Sequence, residues 1–257
     1  MRWLWLLSVT LVGCLDLDPS HYGFPCDAAT CSSGGGSAGG GGGSSGDAGF
    51  VAFDRFLRSE TRGLGQAEIG GAWVVAYGAP SVSADGGMAF LKLSAPTNGA
   101  MVSLPEVSAL GVDMTMQFEV APVSDGQGTY TSFQERRFST TKSYVGRVRL
   151  STSNAYLAIT KLDGTTNDTI LFGEQTMPTP SDAIRIRFQV QGANPTTLRL
   201  RAWPADAGEP TGWNVSGTDA TPELQDAGPV GFGVYLSGSN TNAPVLSTFR
   251  NFAVKPL

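Results

Sequence analysis

Apolar and polar residues alternate with a period of two along several stretches of this chain. The alternation is clearest in residues 112–120, 144–150, 184–190 and 198–203. Successive side chains of a β-strand point to opposite faces of a sheet, so each stretch predicts a strand with one buried and one hydrated face. No stretch of comparable length shows a helical period.

Turn-forming residues separate the alternating stretches. Residues 162–165 and 192–195 contain the Gly, Pro, Asn and Asp that are typical of tight turns. Many short strands with turns between them favour two packed antiparallel sheets. We therefore predict that residues 49–257 form an all-β domain, a two-sheet antiparallel β-sandwich.

The first residues show a different pattern, in which Met1-Arg2 precedes an apolar run from Trp3 to Val12. The run is shorter than the roughly 20 apolar residues that span a bilayer, and it ends in Leu11-Val12-Gly13-Cys14, which resembles a lipobox. This indicates a bacterial lipoprotein signal peptide over residues 1–13, with acylation of Cys14 as the membrane anchor. An ordinary signal peptide with an incidental cysteine is the alternative.

The remaining cysteines, Cys26 and Cys31, lie in an anchor-proximal segment, residues 14–31. A secreted chain matures in an oxidising compartment, so a disulfide between them is the natural interpretation. A metal site formed by both cysteines and His21 is the alternative, although structural zinc usually takes four ligands.

Residues 32–48 form a Gly/Ser-rich linker that separates the anchor from the predicted sandwich. Such a composition behaves as a flexible tether, and its root-mean-square span is about 20 Å. We therefore predict a cell-envelope protein, with the outer membrane favoured because Leu15 replaces the aspartate that signals inner-membrane retention in some bacteria.

Specific residues of the domain carry a resemblance to a known family. They include Phe53-Asp54-Arg55-Phe56 and Gly70-Gly71-Ala72-Trp73 near its start, the segment 194–204, Gly228-Pro229-Val230-Gly231-Phe232, and a last strand from Phe249 to Val254. This pattern resembles the concanavalin A-like, laminin-G-like jelly-roll modules of bacterial surface and carbohydrate-active proteins. The resemblance covers the chain from Phe53 onward and implies a jelly roll, a fold that hosts glucanases, lectins and structural modules alike.

The resemblance also implies a calcium site where the first and last strands meet. Asp54 would supply its acid and Asn251 would assist. The family often has Phe-Asp-Asp in the last strand, whereas this chain has Phe249-Arg250-Asn251, so Arg250 could neutralise Asp54 instead. The expectation is therefore no cofactor, with calcium as the alternative.

Catalytic motifs are not evident. The Glu-x-Asp-x-x-Glu arrangement of related glycosidases does not occur, and the single histidine, His21, precedes the linker and cannot belong to a triad in the domain. We predict a protein that is not an enzyme. A glycoside hydrolase with carboxylates assembled from distant strands is the alternative.

Aromatic and basic residues are the candidates for ligand binding. Trp213 and Tyr130 could stack on sugars, and Arg185 and Arg187 could hold an acidic polysaccharide. These two arginines belong to an alternating set, predicted to line one sheet, that also includes Arg147, Arg149, Arg199 and Arg201. The run Glu135-Arg136-Arg137 predicts a solvated face, with the rim of a ligand site as the alternative.

These observations predict a glycan-binding or adhesive module. A structural or display module that docks on another envelope protein is the alternative. The net charge of −5 and the lack of a basic stripe argue against nucleic-acid binding.

Overall fold

The computed structural model describes residues 49–257 apart from 79–80, 166–167 and 180–181. The described residues are mostly antiparallel strands joined by turns, with a short 3-10 helix at Pro222–Leu224. No helix in this part of the chain is long and apolar enough to cross a membrane. The predicted lipid anchor at Cys14, the predicted Cys26–Cys31 disulfide and the predicted linker lie outside the described residues.

The strands form two sheets. The eight-stranded sheet has the order β13-β12-β11-β6-β15-β4-β3, and β1 pairs with β15 beside this path. Its strands are β1 (Ala52–Asp54), β3 (Val82–Asp85), β4 (Met88–Leu93), β6 (Val112–Ala121), β11 (Ile184–Gln191), β12 (Thr196–Pro204), β13 (Val215–Asp219) and β15 (Val245–Pro256).

The seven-stranded sheet has the order β10-β9-β8-β7-β14-β5-β2. Its strands are β2 (Val74–Tyr77), β5 (Gly99–Ala109), β7 (Thr129–Ser139), β8 (Lys142–Leu150), β9 (Asn154–Asp163), β10 (Thr169–Pro178) and β14 (Gly228–Leu236). The sequence prediction of an all-β, two-sheet antiparallel sandwich is confirmed.

The four alternating stretches of the sequence fall within β6, β8, β11 and β12. In β11, for example, the apolar residues are buried and the residues between them are partly exposed. This agrees with a period of two in which one face packs on the core and the other meets solvent.

The core lies between the sheets and contains many aromatic rings. Phe118 of β6 and Phe133 of β7 bridge the two sheets, with ring centroids 5.5 Å apart. The ring centroid of Phe232 in β14 lies 4.6 Å from that of Phe249 in β15 and 5.2 Å from that of Trp73. Each such side chain contributes about 1.5–3 kcal/mol through burial, so the aromatic cluster holds the sheets face to face.

Candidate functional site

A cavity of about 820 Å³ lies on the outer face of the seven-stranded sheet. Ser132 and Gln134 of β7 line it, and they alternate with core residues such as Phe133. Strands β2, β5, β8, β9 and β14 contribute further lining residues, and the segments around Gln127, Thr140, Asp168 and Ser239 close the edges. A cavity of this size fits a small-molecule or oligosaccharide ligand.

Two glycines form part of the sheet surface beneath this cavity. Gly231 of β14 pairs with Gln134, and Gly233 pairs with Ser132, both on β7. A Cβ on Gly233 would lie 2.6 Å from the Ala100 carbonyl oxygen, and a Cβ on Gly231 would collide with the Val102 carbonyl. These positions therefore require glycine, and the side chain of Met101, which lines the cavity, lies over Gly233.

Three tyrosines line the cavity. Tyr130 of β7 and Tyr235 of β14 are directly opposite each other in the sheet, with ring centroids 6.1 Å apart. Tyr77 of β2 and Tyr235 are each more than 40% exposed. Rings that are exposed at the edge of a cavity offer apolar faces and hydroxyl groups to a ligand, as sugar recognition requires.

Ion pairs order the β8 side of the cavity. Arg147 contacts Asp168 at 2.7 Å and Glu174 at 3.2 Å, and Arg149 contacts Glu174 at 3.2 Å. Both guanidinium groups also lie within 6 Å of the centre of the Tyr130 ring. These arginines are neutralised by acids and support the tyrosine.

The prediction that Glu135-Arg136-Arg137 forms a solvated face is wrong, since all three residues are buried. The register of β7 against β8 shifts between Glu135 and Ser139, and Arg136 adopts a positive φ of 51°. These are the features of a β-bulge, which adds a residue and changes the face on which the next side chains lie. Arg137 consequently lines the cavity.

Arg136 anchors the bulge to the neighbouring loops. Its guanidinium group donates to the Thr196 hydroxyl at 2.8 Å and to the Leu224 carbonyl at 2.9 Å. It also donates to the carbonyls of Leu110 and Gly192. Acceptors from three separate segments thus hold the bulge in place and, with it, the position of Arg137.

The expectation that all six alternating arginines line one sheet is also wrong. Arg147 and Arg149 lie on β8 in the seven-stranded sheet, whereas Arg185, Arg187, Arg199 and Arg201 lie on β11 and β12 in the other sheet. The alternation specifies the face within a strand, but it does not specify the sheet to which a strand belongs.

The structure separates the predicted ligand residues into two groups. Tyr130 lines the cavity, whereas Trp213 lies against Arg201 of the opposite sheet, whose guanidinium carbon is 4.4 Å from the ring centroid. Arg187 forms ion pairs with Asp113 at 2.6 Å and Glu209 at 2.9 Å. These hydrogen bonds raise the pKa of Arg187, with the contacts to Asp113 contributing most.

Arg185 precedes Arg187 by two residues on β11 and shares its outward face. Tyr130 thus belongs to the cavity, and Trp213, Arg185 and Arg187 belong to the outer face of the eight-stranded sheet.

The residues expected to bind calcium do not fit that ion. Asp54 is fully buried, and Arg58 donates to both of its carboxylate oxygens, at 2.8 and 2.7 Å. The main-chain N–H of Phe56 donates at 2.8 Å and the Trp73 indole at 2.6 Å. Four donors occupy the carboxylate, and Arg58 already balances its charge.

Asn251, the second residue expected to bind calcium, adopts a positive φ of 54° in β15. The described residues hold no group of three or more His, Cys, Asp or Glu arranged as metal ligands.

Comparison with known proteins supports the fold assignment. No protein family model matches the chain, and no curated protein matches its sequence. Among solved structures it is similar to a GH43 protein, BlXynB, from Bacillus licheniformis, with 11% identity and a TM-score of 0.54. That match covers 80% of this chain and 39% of the other, so the chain spans well under half of that protein.

Two smaller proteins match over most of their own length. The carbohydrate binding module CBM66 from Bacillus subtilis is 12% identical, with a TM-score of 0.50 over 71% of this chain and 94% of that chain. A legume lectin-like domain from Entamoeba histolytica is 6% identical, with a TM-score of 0.50 over 72% and 90% respectively. Identities this low establish the fold alone, which is the jelly-roll sandwich of lectin-like and carbohydrate-binding modules.

Proposed function

We propose that the protein is a lipid-anchored, non-catalytic glycan-binding protein of the bacterial cell envelope, and that the cavity on the seven-stranded sheet is its binding site. The observation that carries this proposal is a cavity of about 820 Å³ on the outer face of the sheet with three tyrosines in its lining. Sugars have apolar ring faces and hydroxyl-bearing edges, which such a surface complements.

The fold is compatible with this function because carbohydrate-binding modules and lectin-like domains share it. The location rests on the lipobox-like Leu11-Val12-Gly13-Cys14 and the Gly/Ser-rich linker. A domain on such a linker would reach glycans at some distance from the membrane surface.

The carboxylates near the cavity favour binding over catalysis. Glycoside hydrolysis requires a protonated acid beside a free carboxylate. Asp168 and Glu174 instead share Arg147 as an ion-pair partner, and Glu174 also contacts Arg149. These contacts engage the carboxylates as structural supports of the site.

Binding to a panel of polysaccharides tests the proposal. We would compare the purified mature protein with Tyr130→Ala and Trp213→Ala, which remove one aromatic ring from opposite faces of the sandwich. Loss of a stacking ring is worth about 0.5–1.5 kcal/mol, so Tyr130→Ala should weaken binding about two- to twelvefold, whereas Trp213→Ala should not change it.

Each of the other outcomes argues against part of the proposal. Loss of binding in Trp213→Ala alone would move the site to the eight-stranded sheet. A folded protein that binds no polysaccharide would favour a docking module for another envelope protein. Release of reducing sugars during the incubation would restore the glycoside hydrolase alternative.

A further inference from the structure

We propose that the cavity selects glycans that carry a carboxylate, and that Arg137 is the residue that binds the carboxylate of a hexuronic acid unit. This inference rests on the proposed function and adds the chemical class of the ligand. It depends on a buried guanidinium group that lines the cavity and has no acidic partner in the described part of the chain.

The contacts of Arg137 are unusually few for a buried charge. The residue is 8% exposed, and its one hydrogen bond within the described residues is a long contact of 3.5 Å from Nη1 to the Ser103 hydroxyl. Nε and Nη2 are shielded from solvent and have no partner among these residues. Burial lowers the pKa of Arg137, yet arginine keeps its charge in proteins. A desolvated cation of this kind is costly until an anion neutralises it.

The two unpartnered nitrogens form the edge of the guanidinium group that suits a carboxylate. In Arg187 the same pair of atoms binds Asp113, with Nε at 2.8 Å from Oδ1 and Nη2 at 2.6 Å from Oδ2. In Arg55 the pair binds Glu68, with Nε at 3.1 Å from Oε1 and Nη2 at 2.6 Å from Oε2. Two parallel N–H donors match the two oxygens of a planar carboxylate, and this arrangement is stronger and more specific than a single contact.

The shielded edge of Arg137 becomes accessible to a ligand if the guanidinium group turns towards the cavity, and this movement does not require rearrangement of the sheet. Its side chain is long and flexible, and its contact with Ser103 is weak enough for an incoming anion to replace. The main chain beneath it is held by the bonds of Arg136, so the position of the residue is defined while its guanidinium group remains adjustable.

The charges around the cavity leave one positive charge unbalanced. Arg147 and Arg149 are paired with Asp168 and Glu174, and two cations and two anions cancel. Arg137 is the additional cation. The local charge is therefore opposite in sign to the net charge of the whole chain, −5, and it favours an anion at this one position.

The remaining lining indicates that the anion belongs to a sugar. The cavity of about 820 Å³ is much larger than a single inorganic ion, and Tyr77, Ser132 and Gln134 line it together with Arg137. Hydroxyl and amide groups of this kind exchange hydrogen bonds with sugar hydroxyls. A hexuronate combines one carboxylate with several hydroxyls on a ring that fits beside the tyrosines.

The decisive experiment compares polymers that differ only in the carboxylate. The purified mature protein is titrated with polygalacturonate and with the same polymer after its carboxyl groups have been reduced to alcohols. We expect the reduced polymer to bind at least about tenfold more weakly, because it lacks the carboxylate that forms the charge-assisted bidentate contact. Yeast phosphomannan is titrated in parallel as a source of phosphate.

Two variants assign the preference to a residue. Arg137→Gln should bind both forms of the polymer with equal, weak affinity, and Arg137→Lys should recover only part of the preference because it lacks the paired donors. Arg199→Gln is the matched control, since it removes an arginine from β12 of the opposite sheet, and it should retain the full preference.

Thermal unfolding without ligand separates binding from a structural role. Arg137→Met removes an unpaired buried charge, so it should unfold at the same or a higher temperature than the natural protein. A large drop would indicate a structural residue and would overturn the assignment.

Each binding outcome has a defined meaning. Equal binding of polygalacturonate and its reduced form would overturn the carboxylate preference while leaving the proposed function intact, and this comparison needs no variant. Binding to phosphomannan but not to polygalacturonate would replace the carboxylate by a phosphate. Failure to bind any polysaccharide would overturn both this inference and the proposed function.

Discussion

Glu135 gives the sharpest test of the structure, because it is a carboxyl group buried in the sandwich. It is 0% exposed, and neither of its side-chain oxygens has a hydrogen-bond partner among the described residues. Burial raises the pKa of Glu135 well above its usual value, the charge of Asp113 raises it further, and Arg136 opposes the shift.

The raised pKa fixes the direction in which stability depends on pH. The native state keeps a proton that the unfolded chain releases above its ordinary pKa of 4.5. The free energy of unfolding therefore falls as the pH rises from 4.5 towards the folded pKa, at up to about 1.4 kcal/mol per pH unit.

Glu135→Gln preserves the shape of the side chain and removes the titration. We expect the variant to equal the natural protein in stability near pH 4.5 and to become more stable than it as the pH rises, by up to about 1.4 kcal/mol per pH unit. Urea unfolding of both proteins at half-unit intervals from pH 4.5 to 8 measures this difference. Glu119→Gln, which changes an exposed carboxylate on β6, is the control and should reproduce the natural profile.

Parallel pH profiles for the natural protein and Glu135→Gln would refute this reasoning. They would mean that the carboxyl group meets solvent or a compensating cation in solution. A Glu135→Gln protein that is less stable at every pH would indicate that the carboxyl group makes a hydrogen bond that the structure does not contain.

Two further predictions concern the calcium expectation and the membrane anchor. Asp54→Asn should lower the free energy of unfolding by about 3 kcal/mol, because Arg58 loses its partner and two donors face an amide N–H₂ group, whereas Asp85→Asn at an exposed site should have little effect. Urea unfolding measures both variants, and a calcium-dependent shift in the natural protein would contradict the contacts of Asp54. Cys14→Ser should abolish incorporation of a labelled fatty acid and move the protein from the detergent phase to the aqueous phase, and continued labelling would place the anchor elsewhere.

Much of the fold was predictable from local pattern. The alternation of apolar and polar residues predicts strands β6, β8, β11 and β12, since a strand with one hydrated face places apolar residues at every second position. Trp203 ends one of these alternating stretches and is buried, with 7% of its surface exposed.

The candidate site was predictable only in part. Tyr130 could be singled out as an aromatic residue beside a glycine-rich loop, but nothing in the sequence places it opposite Tyr235 of β14. Arg137 belongs to the charged run Glu135-Arg136-Arg137, which predicts a solvated face and gives no indication of a cavity. The sequence offers one sign of the bulge, which is the pair of adjacent arginines in an otherwise alternating strand. This sign can be interpreted only when the positive φ of Arg136 is known.

The class of the fold follows from the amino-acid sequence, because the period of two and the turn residues depend on interactions between near neighbours. The sequence also carried the lipobox-like motif and the linker, which are read from residue type alone. The assignment of strands to sheets came from the tertiary structure, and with it the finding that Arg147 and Arg149 meet acids while Arg137 meets none among the described residues. Strand pairing joins residues more than a hundred positions apart, such as Gly233 with Ser132, and it follows from how two complete apolar faces bury each other.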